Sequence, residues 1–230
     1  MKRFVASLFV FAACAAQAAP NRIDAEYQVS KGGLVIGRIV ESYERNANAY
    51  AIRSTTSSEG ALKLFLDDSI VLSSEGRFGA RGLEPAVFEQ KRVSNGSRDV
   101  HATFDWKAGV MRSQFRGESK DVELPPGTQD RISIMYQFMN VTPGGETFEF
   151  HMSNGRKVER YVYRRTGEAT LKTPAGDFDT VHYERVGRGE GETKAEVWLA
   201  KDRFNFPVRI VYDDPKGLRL EQSLVALKAR

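Results

Sequence analysis

The chain has 230 residues, of which 41% are hydrophobic and 28% are charged, a composition typical of a globular protein. The formal net charge is +4, and it falls to +2 when a leader that contains Lys2 and Arg3 is removed. Such a small net charge argues against a nucleic-acid binder, which needs a concentrated basic surface to follow a phosphate backbone.

Residues 1–18 have the pattern of a secretory signal peptide. Lys2 and Arg3 form a short basic region, and residues 4–16 are uncharged and mostly apolar. Ala16-Gln17-Ala18 then supplies the small residues that a signal peptidase requires. We predict that this segment is removed during export, because its apolar run is too short to cross a bilayer as a helix.

The remaining chain, residues 19–230, is predicted to be a single β-rich domain that acts in the periplasm. It contains no cysteine, because Cys14 lies in the leader, so packing alone must hold it together. Residues 11–14 (Phe-Ala-Ala-Cys) loosely resemble the lipid-attachment site of lipoproteins, which leaves processing at Cys14 as an alternative. No low-complexity tract or linker divides the domain.

Beyond residue 22 the chain consists of short runs of alternating apolar and polar residues, separated by turn residues. Ile23, Ala25, Tyr27 and Val29 are the first example, with the two-residue period of a half-buried strand. Ser153-Asn154-Gly155 predicts a type I′ hairpin turn. The predicted strands are 23–29, 34–43, 50–54, 86–93, 99–106, 110–115, 147–151, 157–164, 168–173, 178–186, 195–200, 207–213 and 218–226.

One segment departs from this pattern and predicts a helix over residues 129–140. Thr128 is the expected N-cap, and Asp130 in the first turn would favour the helix dipole. Apolar residues occur on most sides of this helix, which must therefore be covered on most sides. They are Ile132, Ile134, Met135, Tyr136, Phe138 and Met139. A second segment, residues 59–66, is ambiguous between an amphipathic turn and a strand.

These elements predict a mainly β fold with one domain. We expect an antiparallel curved sheet, a roll or an open barrel, with about a dozen strands around one short apolar helix. The regular spacing of short strands is typical of antiparallel architectures. A parallel sheet is not expected, because no long alternation of strands and helices occurs.

No arrangement of residues predicts a catalytic or metal-binding site. His101, His151 and His182 each lie in a predicted strand without a second ligand at a metal-binding spacing. No Gly-x-Ser-x-Gly motif occurs, and the one cysteine lies in the leader. We therefore expect no enzymatic activity, no metal and no cofactor.

The predicted helix provides the clearest indication of a function. Met135 and Met139, with Tyr136 beside them, make an adaptable apolar surface. If the sheet wraps only partly around the helix, this surface borders a hydrophobic groove; the alternative is that the helix fills the core. Arg131 at the helix start could lock the helix against the sheet or meet an anionic headgroup.

The most basic stretch of the chain is residues 156–165. Read as a strand, it carries Arg160 and Arg164 on one face, and tyrosines on the other. Arginine with tyrosine suits an anionic lipid headgroup or a sugar, although an ordinary solvated strand has the same composition. The candidate ligand-binding residues are Arg131, Met135, Tyr136, Met139, Arg160 and Arg164.

Several sequence blocks, taken in order, resemble a known family. They are Gly82-Leu83-Glu84-Pro85 with Phe88 and Arg92, Phe104-Asp105-Trp106, Leu124–Asp130 leading into Ser133 and Tyr136, Thr173–Phe178, and Glu196–Ala200 with Phe206–Ile210. Together they span most of the chain after the leader and are similar to exported proteobacterial proteins known as domain of unknown function 3108 (DUF3108). The resemblance implies an envelope location and a β-rich fold, and brings no activity, ligand or catalytic residue.

Two functions are compatible with this sequence. The first is a periplasmic binding or carrier module that shelters a lipid or another hydrophobic or amphipathic envelope molecule between the sheet and the helix. Its predicted architecture resembles that of periplasmic lipid carriers, although a fold does not fix a function. The second is a structural or scaffolding partner of an envelope protein, bound along an exposed strand edge. A cavity lined by the helix methionines would favour the first.

Overall fold

The computed structural model describes residues 20–60, 69–140, 145–187 and 192–230. The predicted leader, residues 1–18, lies outside the described residues, as does most of the ambiguous segment 59–66. The described residues form fifteen strands, a short 3₁₀ turn at Gly96–Arg98 and one α-helix, α1 (Ser133–Asn140). The strands are β1 (Arg22–Lys31), β2 (Leu34–Asn46), β3 (Ala49–Ser58), β4 (Ser69–Gly79), β5 (Gly82–Arg92), β6 (Val100–Asp105), β7 (Val110–Phe115), β8 (Glu118–Glu123), β9 (Gln129–Asp130), β10 (Thr147–Ser153), β11 (Val158–Thr173), β12 (Gly176–Arg185), β13 (Lys194–Ala200), β14 (Phe206–Asp213) and β15 (Arg219–Ala229).

All fifteen strands belong to one curved sheet, in the order β8-β7-β6-β5-β4-β3-β2-β1-β15-β14-β13-β12-β11-β10-β9. Neighbouring strands are antiparallel, except that β9 runs parallel to β10. The chain therefore runs up and down through two halves, which join where β1 pairs with β15. Asn21 and Arg230 meet there, because the amide of Asn21 donates to the carbonyl of Arg230 at 2.8 Å.

This architecture confirms the predicted mainly β fold with one short helix. In β1, Ile23, Ala25 and Tyr27 are buried on the concave face, while the residues between them are partly exposed. The period of two that the sequence shows is thus the consequence of a sheet with one buried face.

The sheet contains strands that alternation does not reveal. In β4 the concave face carries Leu72 and Ser74, and the small polar residues of this strand hide its period. β8 has four charged residues among its six and is almost wholly exposed, as suits an edge strand that must not pair with another chain. In β11, the two predicted strands 157–164 and 168–173 are one strand, with a register shift between Arg165 and Gly167.

The helix begins later than predicted, and its capping residue is different. The Asp130 carboxylate accepts hydrogen bonds from the amides of Ile132 (3.0 Å) and Ser133 (2.8 Å), as an N-cap side chain does. The Thr128 hydroxyl instead donates to the carbonyl of Pro125 at 2.6 Å. The expected N-cap at Thr128 is therefore wrong, because that hydroxyl stabilises the preceding turn.

Helix α1 lies inside the curve of the sheet and is covered on most sides. Ser133, Ile134, Tyr136 and Phe138 are buried, and the methionines are half-buried. One apolar cluster surrounds Tyr136 and draws on both halves of the sheet. A smaller cluster lies on the other side of the helix and consists of Ile134, Phe138, Tyr183, Val197 and Leu199.

The two halves of the sheet also meet by packing at the β10–β11 hairpin. The Ser153 hydroxyl lies 3.0 Å from the sulfur of Met111, and Arg156 stacks over the Phe115 ring at 4.0 Å. Gly155, with a φ of 81°, sits so close to Val100 that a Cβ there would be 2.6 Å from a Val100 methyl group. Asn154 has a negative φ, so the predicted type I′ geometry is wrong although the hairpin itself is present.

No helix in the described ranges is long and apolar enough to cross a membrane.

Candidate functional site

A buried carboxylate from the sheet holds the middle of helix α1. Glu41 in β2 is 4% exposed and accepts hydrogen bonds from the hydroxyls of Ser54 (3.0 Å) and Tyr136 (3.1 Å). Burial raises the pKa of the Glu41 carboxyl, because it disfavours the charged form. Tyr136 is fully buried and stacks on Tyr43 with ring centroids 4.9 Å apart. The structure thus gives Tyr136 a packing role and places it away from any solvent-accessible ligand.

A second buried carboxylate holds the start of the helix. Besides capping α1, Asp130 accepts a hydrogen bond of 2.5 Å from the Ser74 hydroxyl in β4. That bond uses the only hydroxyl proton of Ser74. The Tyr50 hydroxyl, whose oxygen lies 3.2 Å from that of Ser74, therefore donates its own proton to Ser74. Burial raises the pKa of Asp130 to about 6, against the opposing effect of these hydrogen bonds.

The candidate methionines pack within the fold. Met135 contacts both apolar clusters, and Met139 contacts the larger one. Two surface depressions have volumes of about 280 and 780 Å³. The first lies on β1–β3 and β15, and the second lies on β5–β8, so neither is lined by a helix methionine. Neither of these two depressions is the groove that the sequence predicts beside the helix.

Arg160 and Arg164 lie on the convex face of β11. Arg160 forms a bidentate ion pair with Glu149 of the neighbouring strand, and Arg164 is exposed. Tyr161 and Tyr163 alternate with them and point to the concave face, where the helix lies. These two arginines therefore do not share a surface with Arg131.

Arg131 lies at one end of the curved sheet, among residues from three other strands. Its guanidinium donates to the side-chain oxygen of Gln90 at 3.1 Å. It is exposed, yet surrounding protein lowers its pKa by desolvation, with smaller effects from Arg92, Tyr161 and Tyr212 nearby. Arg131 therefore lies beside polar and aromatic side chains of β5, β11 and β14.

A second arginine extends this surface. The guanidinium of Arg185 in β12 lies 4.4 Å from the centre of the Tyr161 ring, a cation–π contact. We call the group Arg92, Arg131, Tyr161, Arg185 and Tyr212 the Arg131 cluster. It combines three guanidinium groups with two phenol rings at the end of the sheet where β5, β12 and β14 finish.

Stacked aromatic rings lead from the Arg131 cluster toward the helix. Phe150 stacks on Tyr161 and Phe148 stacks on Tyr163, with centroids 5.8 and 5.4 Å apart. Phe148 also meets the Phe138 ring of α1 edge-on at 5.5 Å. These four rings of β10 and β11, the aromatic ladder, are half-buried, so part of their surface remains open to a ligand.

Exposed apolar side chains occur at the same end of the sheet. Because antiparallel strands alternate in direction, the β1–β2, β5–β6 and β14–β15 connections all lie at this end. They carry Leu34, Val93 and Leu218, which are 73%, 74% and 39% exposed. We call these three residues the apolar rim.

Sequence reasoning identified Arg131 and missed the rest of the Arg131 cluster. The alternation of residues 156–165 already separated Tyr161 from Arg160, but the choice between the two faces depended on which one is concave. That property arises from pairing between distant strands, and no local pattern reports it.

Comparison with known proteins supports the fold and leaves the activity open. A β-barrel-like protein of DUF1849 from Brucella abortus is similar over 93% of this chain and 100% of its own, with a TM-score of 0.59 and 12% identity. A candidate exported protein with a YmcC-like fold from Bacteroides fragilis has a TM-score of only 0.39, with 14% identity over 91% of this chain and 96% of its own. No curated protein matches the chain. A family model described as a protein of unknown function matches residues 26–223.

Proposed function

The chain belongs to this family, DUF3108, and because membership assigns no activity, we propose from the geometry that the protein is a binding module for an anionic amphipathic molecule of the cell envelope. The ligand lies at the end of the sheet that carries the Arg131 cluster. Its acidic group meets the guanidinium group of Arg131, and its apolar part follows the aromatic ladder or the apolar rim.

The observation that supports this proposal most strongly is the environment of Arg131. Arg131 is exposed at the end of the sheet, beside a second guanidinium group, that of Arg92, and the phenol rings of Tyr161 and Tyr212. Its planar donor groups suit carboxylate and phosphate oxygens. Gln90 is a neutral partner, so the charge of Arg131 is available to a ligand.

The rings around Arg131 suit the junction between the polar and apolar parts of such a ligand. Tyrosine presents an apolar ring with a polar tip and is favoured where one end of a contact is wet. Tyr212 is 44% exposed and Tyr161 is half-buried. In this arrangement the apolar part of the ligand does not lie beneath the helix, because Tyr136 and Met139 pack against the core there.

The location that we propose is extracytoplasmic. Residues 1–18 carry the signal-peptide pattern described above, and the proposed ligand class is found in the envelope. Processing at Cys14 would tether the same domain to a membrane and is compatible with this binding site.

Binding is tested with lysophosphatidylglycerol below its micellar concentration, added to detergent-free domain comprising residues 19–230. We expect one bound molecule by native mass spectrometry, and weaker binding of the zwitterionic lysophosphatidylcholine. Replacing Arg131 by Gln should reduce the affinity about tenfold, the effect of losing roughly 1.4 kcal/mol. Arg131→Lys should restore part of it.

The matched control is Arg160→Gln, which removes an arginine from the convex face at the same end of β11. It should leave the affinity unchanged. Equal losses in Arg131→Gln and Arg160→Gln would mean that binding reports only net charge. No complex with either lipid would remove the support for an amphiphile-binding module and favour a scaffolding protein.

The scaffolding alternative receives less support from the geometry. β8 is an open edge, but charged residues on it discourage the addition of a strand from another chain. The other edge, β9, consists of two buried residues, Gln129 and Asp130. A partner that binds by adding a strand would therefore find a charged edge at β8 and only a short, buried edge at β9.

A further inference from the structure

Three side chains of types that bind metals lie together on the convex face of β12 and β13. This face is opposite to the one that carries the Arg131 cluster. His182 and Glu184 are two residues apart on β12, so they point to the same side. Glu196 comes from β13, where it pairs directly with Glu184. One ligand atom from each of the three residues lies within 4.8 Å of the other two.

The histidine is held in one orientation. Its ring stacks on Trp198 with a centroid distance of 4.0 Å and an interplanar angle of 6°. Its Nδ1 lies 2.8 Å from the Thr166 hydroxyl, and that hydroxyl is placed to donate to the His182 carbonyl at 3.4 Å. A hydroxyl with its proton committed in this way accepts from Nδ1–H. This arrangement is the one that fixes histidine as a metal ligand through its other nitrogen.

The other nitrogen faces a carboxylate. Nε2 of His182 lies 3.1 Å from Oε2 of Glu196. In the tautomer that Thr166 selects, Nδ1 carries the proton, so Nε2 of His182 and Oε2 of Glu196 present lone pairs to each other. The contact therefore requires a positive species between these two atoms, either a proton or a metal cation. Arg219 lies 3.7 Å from the other oxygen of Glu196 and compensates only part of the charge.

The third side chain adds a charge without a partner of its own. Among the residues that the structure describes, Glu184 forms no ion pair or hydrogen bond, and it is exposed. Two carboxylates that approach each other beside a histidine repel unless a cation lies between them. The cluster therefore has the charge and the donor atoms of a cation site.

We propose that His182, Glu184 and Glu196 bind one divalent transition-metal cation, with zinc as the probe. Ligand atoms around tetrahedral zinc are about 3.3 Å apart, given zinc–ligand distances near 2.0–2.1 Å. The distance of 3.1 Å between Nε2 of His182 and Oε2 of Glu196 is already close to that spacing. One imidazole and two carboxylates leave the fourth position to water or to an exogenous ligand.

The sequence shows two of the three ligands of this site. His182-Tyr183-Glu184 places two ligand types on one face of a strand, but no motif joins them to Glu196. The third ligand follows from the register between β12 and β13, which was not visible before the strands were paired.

Zinc binding is measured by isothermal titration calorimetry on the domain of residues 19–230 after treatment with EDTA. We expect one ion per chain with a dissociation constant in the micromolar range. Glu184→Gln, at an exposed position that leaves the fold intact, should weaken binding at least about tenfold. Thr166→Val keeps all three ligands and should cost about tenfold, because Nδ1 loses the group that orients the ring.

The matched control is His101→Gln. His101 lies 3.3 Å from Glu89, so it forms a histidine–glutamate pair on the same sheet, and no third metal-ligating side chain joins them among the described residues. This variant should bind zinc as the unchanged protein does. Stoichiometric binding that survives Glu184→Gln, or a dissociation constant above about 1 mM, would overturn the proposal. Cobalt substitution supplies a second readout, since d–d absorption bands should appear only when the three ligands are present.

Discussion

Individual buried hydroxyl groups determine how firmly helix α1 is held. Tyr43 and Tyr136 stack on each other inside the sheet, but only Tyr136 donates a hydrogen bond, to Glu41. The Tyr43 hydroxyl has no hydrogen-bond partner among the described residues. The two rings therefore separate the contribution of a buried hydrogen bond from that of aromatic packing.

Tyr136→Phe should destabilise the domain by about 1–3 kcal/mol, because it leaves the buried Glu41 carboxylate with Ser54 as its remaining hydroxyl donor. Tyr43→Phe, which removes a hydroxyl without a partner, should be neutral or stabilising. Urea unfolding followed by circular dichroism measures both. Similar losses in the two variants would show that packing changes, and not the Glu41 hydrogen bond, account for the effect.

Asp130 should make stability depend on pH in an unusual direction. Its pKa in the folded state is about 6, above its ordinary value of 3.8, so the folded protein holds the proton more tightly than the unfolded chain. Its contribution to the free energy of unfolding therefore rises as the pH falls through 6, and levels off below about 4. The shift corresponds to at most about 3 kcal/mol.

The measurement compares unfolding of the unchanged protein and Asp130→Asn between pH 4 and 8. The variant cannot titrate at this position. As the pH is lowered, the free energy of unfolding of the unchanged protein should therefore rise relative to that of the variant. Exposed carboxyls with lowered pKa values, such as Asp121, change the free energy of unfolding of both proteins equally, so their contribution cancels in the difference. A difference that is constant across this range would mean that Asp130 does not titrate between these limits.

At the scale of elements, the β10–β11 hairpin closes the sheet by contact without hydrogen-bonded pairing. Gly155 is the point of closest approach, to Val100 and Phe88. Gly155→Ala should destabilise the domain, because a methyl group would overlap these side chains and because the residue has a positive φ. Gly117→Ala is the matched control: its φ of 79° is nearly the same, and no atom lies within 4 Å of its added Cβ.

The difference between the two variants isolates the packing contact from backbone strain. Gly155→Ala should lose about 1–3 kcal/mol more than Gly117→Ala. Thermal and urea unfolding give this difference directly. If both lose the same amount, the hairpin can move away from β5 and β6 at no cost, and the sheet is more open than the contacts indicate.

Elements with strong alternation could be predicted from the sequence, and those without it could not. β7 was predicted at residues 110–115 and spans Val110–Phe115. β8 has no apolar face, so its only signal was the turn before it. The helix was found from its apolar residues, but Asp130 and not Thr128 caps its start. Each residue type is a good cap, and tertiary contacts decided between them.

The candidate site was less predictable than the fold. Arg131 could be singled out because a charged residue at the start of an apolar helix is expected either to lock the helix against the sheet or to meet an anionic group. Arg185 and Tyr212 come from strands far apart in the chain, and their approach to Arg131 depends on how strongly the sheet curves. Sequence spacing carries no information on that curvature.

At the scale of the whole molecule, every pair of neighbouring strands in the sheet is consecutive in the chain, with one exception. β1 pairs with β15, although they lie at opposite ends of the chain, whereas the two edges, β8 and β9, are joined by the short segment 124–128 and do not pair. A permuted chain that links Arg230 to Asn21 and begins at Pro126 would contain the same strand pairs, with every one of them local in sequence.

Such a permutant should adopt the same fold and refold faster than the natural order, because low contact order speeds folding. Stopped-flow refolding from urea, monitored by tryptophan fluorescence, compares the two rates. A permutant opened inside the β4–β5 turn, at Ala80–Arg81, is the control: it makes the β4–β5 pair non-local and should show no acceleration. Equal rates in all three proteins would mean that another step, such as the docking of α1, limits folding.

The β1–β15 pair also has a consequence for the order in which the chain is made. β1 is made before the other strands of the sheet and its second neighbour, β15, is made after them, so one side of the central strand has no partner until β15 is made. Meanwhile β1–β8 have already emerged, and their concave face, with Glu41 and Tyr27 on it, is open to water before α1 arrives. A half-made chain of this kind displays both an apolar surface and an unpaired strand. We expect a nascent or translocating chain to depend on holding factors until β15 becomes available to pair with β1.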